Sequence, residues 1–297
     1  MTATTIAPDV IARTQAHAEP LPSRGLLHDV WVIARRGLIH MKRQPEALSD
    51  ATIQPIMFVL LFAYVFGGAI AVPGGGGEEG GPVGADRYRE FLMGGIMAQT
   101  IIFTAFGVAM GVATDRKNQT VDRFRSLPIA RGAVLGGYAV ANLIKALLPI
   151  MIMSVTGLLV GWQIRSSIGE ALLGYLLMVA FAFAMIWIGV LIGSVVKTPE
   201  GVQGIAFAGL FPITFIASTF VPVTSMPGPL RTVAEWNPVT TLSDALRELF
   251  GNPNTPLQPG DPWSIQHPVA YTWLWIVGIL LVAAPLAVRA YQRSISK

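Results

Sequence analysis

FLMGGIMAQTIIFTAFGVAMGVAT, residues 91–114, contains no Lys, Arg, Asp or Glu and is followed at once by DRKNQTVDRFRSLPIAR, residues 115–131. The first part exceeds the roughly 20 apolar residues that carry a helix across the hydrocarbon core of a bilayer. The second is dense in arginine and lysine. A soluble core helix would show apolar residues at every third or fourth position with polar ones between them, and this run does not. The change from charge-free to basic therefore marks a membrane boundary. The same reading extends along the chain. No charged residue falls between Asp50 and Glu78, Glu170 and Lys197, Glu200 and Arg231, or Asp261 and Arg289, and the stretch from Gly132 to Gln163 is interrupted only by Lys145. The expectation is an all-α polytopic membrane protein with six transmembrane helices, near 53–72, 91–113, 136–161, 171–195, 203–222 and 268–288. A composition of 53% hydrophobic and 13% charged residues fits that class.

Basic residues near span ends resist translocation, so their distribution sets orientation. With the N-terminus inside, fifteen Lys and Arg lie on the cytoplasmic side and five on the other, which places both termini in the cytoplasm. Residues 1–24 are polar, contain proline and lack the apolar core of a signal sequence, and they read as a disordered cytoplasmic tail. Residues 291–297 form a second short tail, so the transmembrane domain occupies 45–290. The absence of cysteine excludes a disulfide framework, thiolate metal sites and a cysteine nucleophile. His40 and His267 sit in no metal-binding pattern, and no metal site is expected.

Residues 25–44 differ in character. Leu27, Val30, Trp31, Ala34, Leu38 and Met41 recur at helical spacing, while Arg35, Arg36 and Arg43 supply positive charge, the pattern of an amphipathic helix lying along the membrane surface. The glycine-rich loop VPGGGGEEGGPVGADR, residues 72–87, lacks the Gly-Lys-Ser/Thr ending of a phosphate loop and carries Glu78 and Glu79, so it reads as an extracytoplasmic linker. Between the last two spans, residues 222–266 hold two short helical patterns, Pro229 to Trp236 and Thr241 to Phe250, punctuated by Pro222, Pro227, Pro229 and Pro238. They predict an extracytoplasmic helical hairpin. In its second helix Leu242, Ala245, Leu246, Leu249 and Phe250 form the apolar face, with Asp244 and Arg247 off it.

In the basic loop, which also holds Asp122, Val121, Phe124 and Leu127 recur at three-residue spacing before Pro128, among Arg123, Arg125 and Arg131. This is a compact apolar knob in a basic setting, suited to a cleft on a partner. The spans contain no acidic residue of the kind that a proton- or sodium-coupled carrier uses, nor paired acids or a histidine cluster for hydrolysis. Met97, Phe103, Phe106, Phe211 and Phe215 belong to an adaptable apolar surface that a hydrophobic substrate could follow.

Three motifs carry a family resemblance. They are Val121-Asp122-Arg123-Phe124-Arg125-Ser126-Leu127-Pro128-Ile129, then Ser218-Thr219-Phe220-Val221-Pro222-Val223, and Trp236-Asn237-Pro238-Val239-Thr240 followed by Asp244-Ala245-Leu246-Arg247. In order and spacing the chain resembles ABC-2 type transporter permeases, most closely the daunorubicin-resistance (DrrB-like) group. The resemblance implies a bacterial cell-membrane permease without enzymatic activity or cofactor of its own. A separate ABC ATPase subunit, holding ATP and Mg, would dock on the 121–128 coupling loop. It further implies a second permease copy in a 2+2 complex and export of hydrophobic drugs or lipids. A glycolipid or polyketide-lipid cargo, or a stand-alone secondary transporter, are the alternatives. Nucleic acid is not an expected partner.

Overall fold

The structure is a computed structural model that describes residues 25–42, 45–65, 85–118, 131–196 and 198–295. Among the described residues the fold is all helical. Helices α1 (Leu26–Lys42), α2 (Pro45–Val65), α3 (Ala85–Lys117), α4 (Arg131–Val160) and α5 (Ile168–Val195) come first. A broken segment follows, made of α6 (Pro199–Ile205), a π-helical turn (Ala206–Leu210) and α7 (Phe211–Phe215). Then come α8 (Gly228–Glu235), α9 (Pro238–Phe250), α10 (Trp263–Gln266) and α11 (Pro268–Ile295). Among the described residues, four stretches are long and apolar enough to cross a membrane: Arg87–Lys117, Leu135–Val160, Ile168–Val195 and Pro268–Arg293. Helix α2 adds a shorter apolar stretch, Ile53–Val65.

Helix α3 is the axis of the bundle, packed against α5 above all and also against α2, α4, α6 and α9. Small residues bring α3 and α5 together. A Cβ on Gly189 or Gly193 of α5 would lie 2.5 Å from the carbonyl oxygens of Ala105 and Ala109 respectively. A Gly-x-x-x-Gly row thus faces an Ala-x-x-x-Ala row, the arrangement that lets apolar helices gain dispersion contact at close range in lipid, where burial alone drives little. Ser167 starts α5 with a reciprocal capping box to Glu170, which satisfies two otherwise unpaired backbone donors.

Helix α1 lies on α4, the fit again set by glycine. Added Cβ atoms on Gly136 and Gly137 would meet Val30 and Ile33, and one on Gly37 would meet Ala141. The apolar face read from the sequence divides here. Ala34 and Ile33 are buried toward α4, whereas Leu27 and Trp31 are exposed. The periodicity of α1 serves two contacts at once, and Ile33 rather than Trp31 anchors it to the bundle.

The fifth apolar stretch departs from its expected course. The sequence predicts a helix over 203–222, but the helix stops at Phe215, Ile216 leaves the helical region (φ −88, ψ 57), and residues 216–222 reverse direction. The cause lies elsewhere in the chain, because the carbonyls that would continue the helix are held by α9 and its cap.

Candidate functional site

Arg247 stands at the centre of this reversal. It is fully buried, and each of its five N–H donors finds an acceptor. Nε donates to the Phe91 carbonyl at 2.9 Å. Nη1 donates to Ser218 Oγ at 3.0 Å and to Asp244 Oδ1 at 2.7 Å. Nη2 donates to the carbonyls of Ser218 at 2.6 Å and Thr219 at 3.4 Å. The guanidinium also lies over the Phe91 ring, 3.5 Å from its centroid, so a cation–π contact adds to the hydrogen bonds. Burial pushes its pKa down, opposed by the Asp244 charge and hydrogen bond. Ser218 Oγ in turn donates to Asp244 Oδ1 at 2.9 Å, completing a closed polar network.

Asn237 clamps the other side. Its Nδ2 donates to the carbonyls of Ile213 at 2.7 Å and Ile216 at 2.6 Å, while its Oδ1 accepts from Val239 N at 2.8 Å. One side chain thus ends α7 and begins α9. The reversal reaches α3 because Gly94 and Gly95 leave room. A Cβ on Gly95 would lie 2.0 Å from the Thr219 oxygen, and one on Gly94 2.9 Å from Arg247 Cγ. Irregular backbone is tolerated in an apolar bundle only where protein groups satisfy it, and Arg247 and Asn237 do so here.

A second polar seam ties the C-terminal end of α9 to the α4–α5 turn. Trp162 Nε1 donates to Asn252 Oδ1 at 2.7 Å, and Asn252 Nδ2 donates to the Gln163 carbonyl at 2.8 Å. Arg165 pairs with the buried Glu90 at 2.8 Å. A cavity of about 430 Å³ opens beside this seam, bounded by Arg87, Glu90, Arg165 and residues 251–254.

The aromatic residues form a row. Phe207 stacks on Phe211 at 4.9 Å and Phe211 on Phe215 at 6.1 Å. Phe215 meets Phe220 at 6.1 Å, and Phe220 stacks on Phe62 of α2 at 4.2 Å. Phe103 of α3 joins edge-on to Phe211 at 5.4 Å. Phe207 and Phe215 are more than half exposed, at 56% and 58%. The α6–α7 segment therefore turns an open aromatic face outward, next to α2.

Of the sequence-predicted residues, Asp244 and Arg247 meet in one network, Asn237 holds the other side of the same reversal, Pro222 is buried and Pro238 starts α9. Asp244 and Arg247, read as lying off the buried face of α9, are themselves buried. The helix is covered on both sides, by α3 and by the reversal. Phe103, Phe211 and Phe215 share the aromatic row, Phe106 is half-buried, and Met97 lies in the core behind them. Trp31, Arg35 and Arg36 are on exposed positions of α1. Val121, Asp122, Arg123, Phe124, Arg125, Leu127, Pro128 and Arg43 lie outside the described residues. Sequence reasoning missed Ser218 as a polar partner and the Gly94-Gly95 notch, though adjacent glycines inside a span are a readable sign of close backbone approach.

Residues 28–250 match the family model for the ABC-2 type transporter. The chain is similar to the daunorubicin resistance ABC transporter permease protein DrrB1 of Streptomyces coeruleorubidus, at 26% identity over 86% of this chain and 83% of the relative. It is also similar to the inner membrane transport permease YadH of Escherichia coli (strain K12), at 22% identity over 67% of this chain and 74% of the relative. A third relative, named "Probable multidrug ABC transporter permease YbhR" in the same organism, is 25% identical over 55% of this chain and 44% of its own length. The matched region runs from α1 through the end of α9 and so contains the whole Arg247 network, and the chain belongs to the ABC-2 type transporter family.

Proposed function

We propose that this chain is the membrane permease subunit of an ATP-binding-cassette exporter that moves hydrophobic drugs out of a bacterial cell, driven by a separate ATPase subunit. The similarity to a daunorubicin-resistance permease over most of both chains carries the reading. The open aromatic face on α6–α7 supports it, since stacked phenylalanines give a lipophilic molecule wide and adaptable contact. In this reading the α2 and α6–α7 segments complete a set of six spans, both termini are cytoplasmic, and α8–α9 form the outer hairpin. Two copies of the chain face each other across the aromatic rows, and Phe103, Phe106, Phe211 and Phe215 contact the substrate. The loop from Val121 to Pro128 docks on the ATPase, which holds the ATP and Mg.

The test is co-expression with ATP-binding subunits from the same genome, followed by co-purification from detergent. The expected result is a stable complex with the native chain that Phe124→Glu abolishes. A native chain that captures no ATPase subunit, or a mutant that binds equally well, overturns the docking assignment.

A further inference from the structure

The end of α3 remote from the Arg247 network carries Arg116 and Lys117, directly before the basic loop. Arg116 Nη1 donates to the carbonyls of Ser194 at 2.7 Å, Val196 at 3.2 Å and Gly193 at 3.3 Å. Gly193 and Ser194 offer two of the last carbonyls of α5, which have no partner within their own helix and carry the negative end of its dipole, and Val196 is its C-cap. On the next residue, Lys117 Nζ stands 3.2 Å from Glu200 Oε1 in the first turn of α6. That exposed pair adds little energy. It does fix where α6 begins relative to the end of α3. Along the rest of their contact, α3 and α5 are already in backbone-to-backbone register through Gly189 and Gly193.

We propose that Arg116 is a latch that makes α3 and α5 one lever, so that a push on the loop after Lys117 moves both helices and, through the packing of α6 on α3, the start of α6. Resting on the exporter reading above, this makes Arg116 a positioning residue. It lies outside the docking loop and carries the loop's displacement to the aromatic row on α6–α7. Without it, the last turn of α3, beyond the Gly193 contact, loses its hold on the end of α5, and less of each ATP turnover reaches α6.

The test compares Arg116→Ala, Arg116→Lys and the native chain in proteoliposomes with the bound ATPase subunit, reading substrate exported per ATP hydrolysed. Arg116→Ala is expected to keep the ATPase subunit and its hydrolysis while export per ATP falls at least tenfold. Arg116→Lys, which keeps a cation able to reach the same carbonyls, recovers most of it. A loss confined to protein yield, with coupling per folded complex unchanged, overturns the latch.

Because the chain has no cysteine, a second arm does not depend on removing Arg116. Lys117→Cys and Glu200→Cys, both exposed, are joined by a short bifunctional thiol reagent. Export should survive linking, since the two ends travel together, and linking that stops export while the ATPase subunit stays bound overturns the proposal. If the native chain binds no ATPase subunit, the exporter reading falls and the latch with it, an outcome visible in the native sample alone.

Discussion

Replacing Arg247 by Met should unfasten the reversal at 216–222 while keeping most of the side-chain volume. The mutation removes five hydrogen bonds and a cation–π contact and leaves Asp244, 2% exposed, without its counter-ion. Breaking a buried ion pair from one side costs about 3–5 kcal/mol, because the remaining charge stays desolvated. At roughly 2–4 °C per kcal/mol for a domain of this size, the unfolding midpoint in detergent should fall by on the order of 10 °C. Two companion variants separate the contributions. Asp244→Asn with Arg247→Met removes the stranded charge and should recover part of the loss. Asp244→Asn alone should cost less than Arg247→Met, since the carbonyls of Phe91, Ser218 and Thr219 keep their donor. A midpoint within about 2 °C of native for Arg247→Met, or a double variant no better than the single, would refute the network as the device holding the reversal.

Asn237→Ala should destabilise by about 2–4 kcal/mol, from a lost cap and two released carbonyls. Asn237→Asp keeps the cap acceptor for Val239 but turns a carboxylate toward the carbonyls of Ile213 and Ile216, so it should also fail in thermal unfolding. An Asp variant as stable as the native chain would reduce Asn237 to a simple cap. Gly137→Val should pry α1 from α4, because its Cβ would sit 2.6 Å from that of Ile33, and cleavage of the α1 region by added protease should speed up. Gly107→Ala, whose Cβ meets nothing within 4 Å, is the matched control and should leave cleavage unchanged.

Long apolar helices were legible where charge-free length alone decides the outcome. Residues 91–113, 171–195 and 268–288 each fall inside a long helix, and 136–161 runs one residue past the end of α4. The 203–222 prediction failed at its second half for a definite reason. Hydropathy records that Ser218 to Val221 are apolar enough to continue a helix, but not that Arg247, 28 residues and more away in sequence, takes their carbonyls. For Arg247 itself the amphipathic pattern misled, because a helix covered on both sides no longer has an outer face on which to place its charges. Motif reading did better than periodicity there. Asn237, Asp244 and Arg247 were already conspicuous as sequence. In the structure Asn237 and Arg247 donate to carbonyls between Ile213 and Thr219, while Asp244 accepts from the side chains of Arg247 and Ser218.

The early end of the fifth apolar segment also bears on the surrounding lipid. From Pro199 to Phe215 the helix rises about 25 Å at 1.5 Å per residue, short of the roughly 30 Å of hydrocarbon that neighbouring α5 can span unaided. Acyl chains at this corner meet a wall of lower height than they do around α5 and α11. A bilayer adjusts to such a step by thinning, at a modest cost for each ångström of mismatch. Acyl-chain length in the host membrane is thus a physical setting of this permease, felt at the aromatic face of α6–α7.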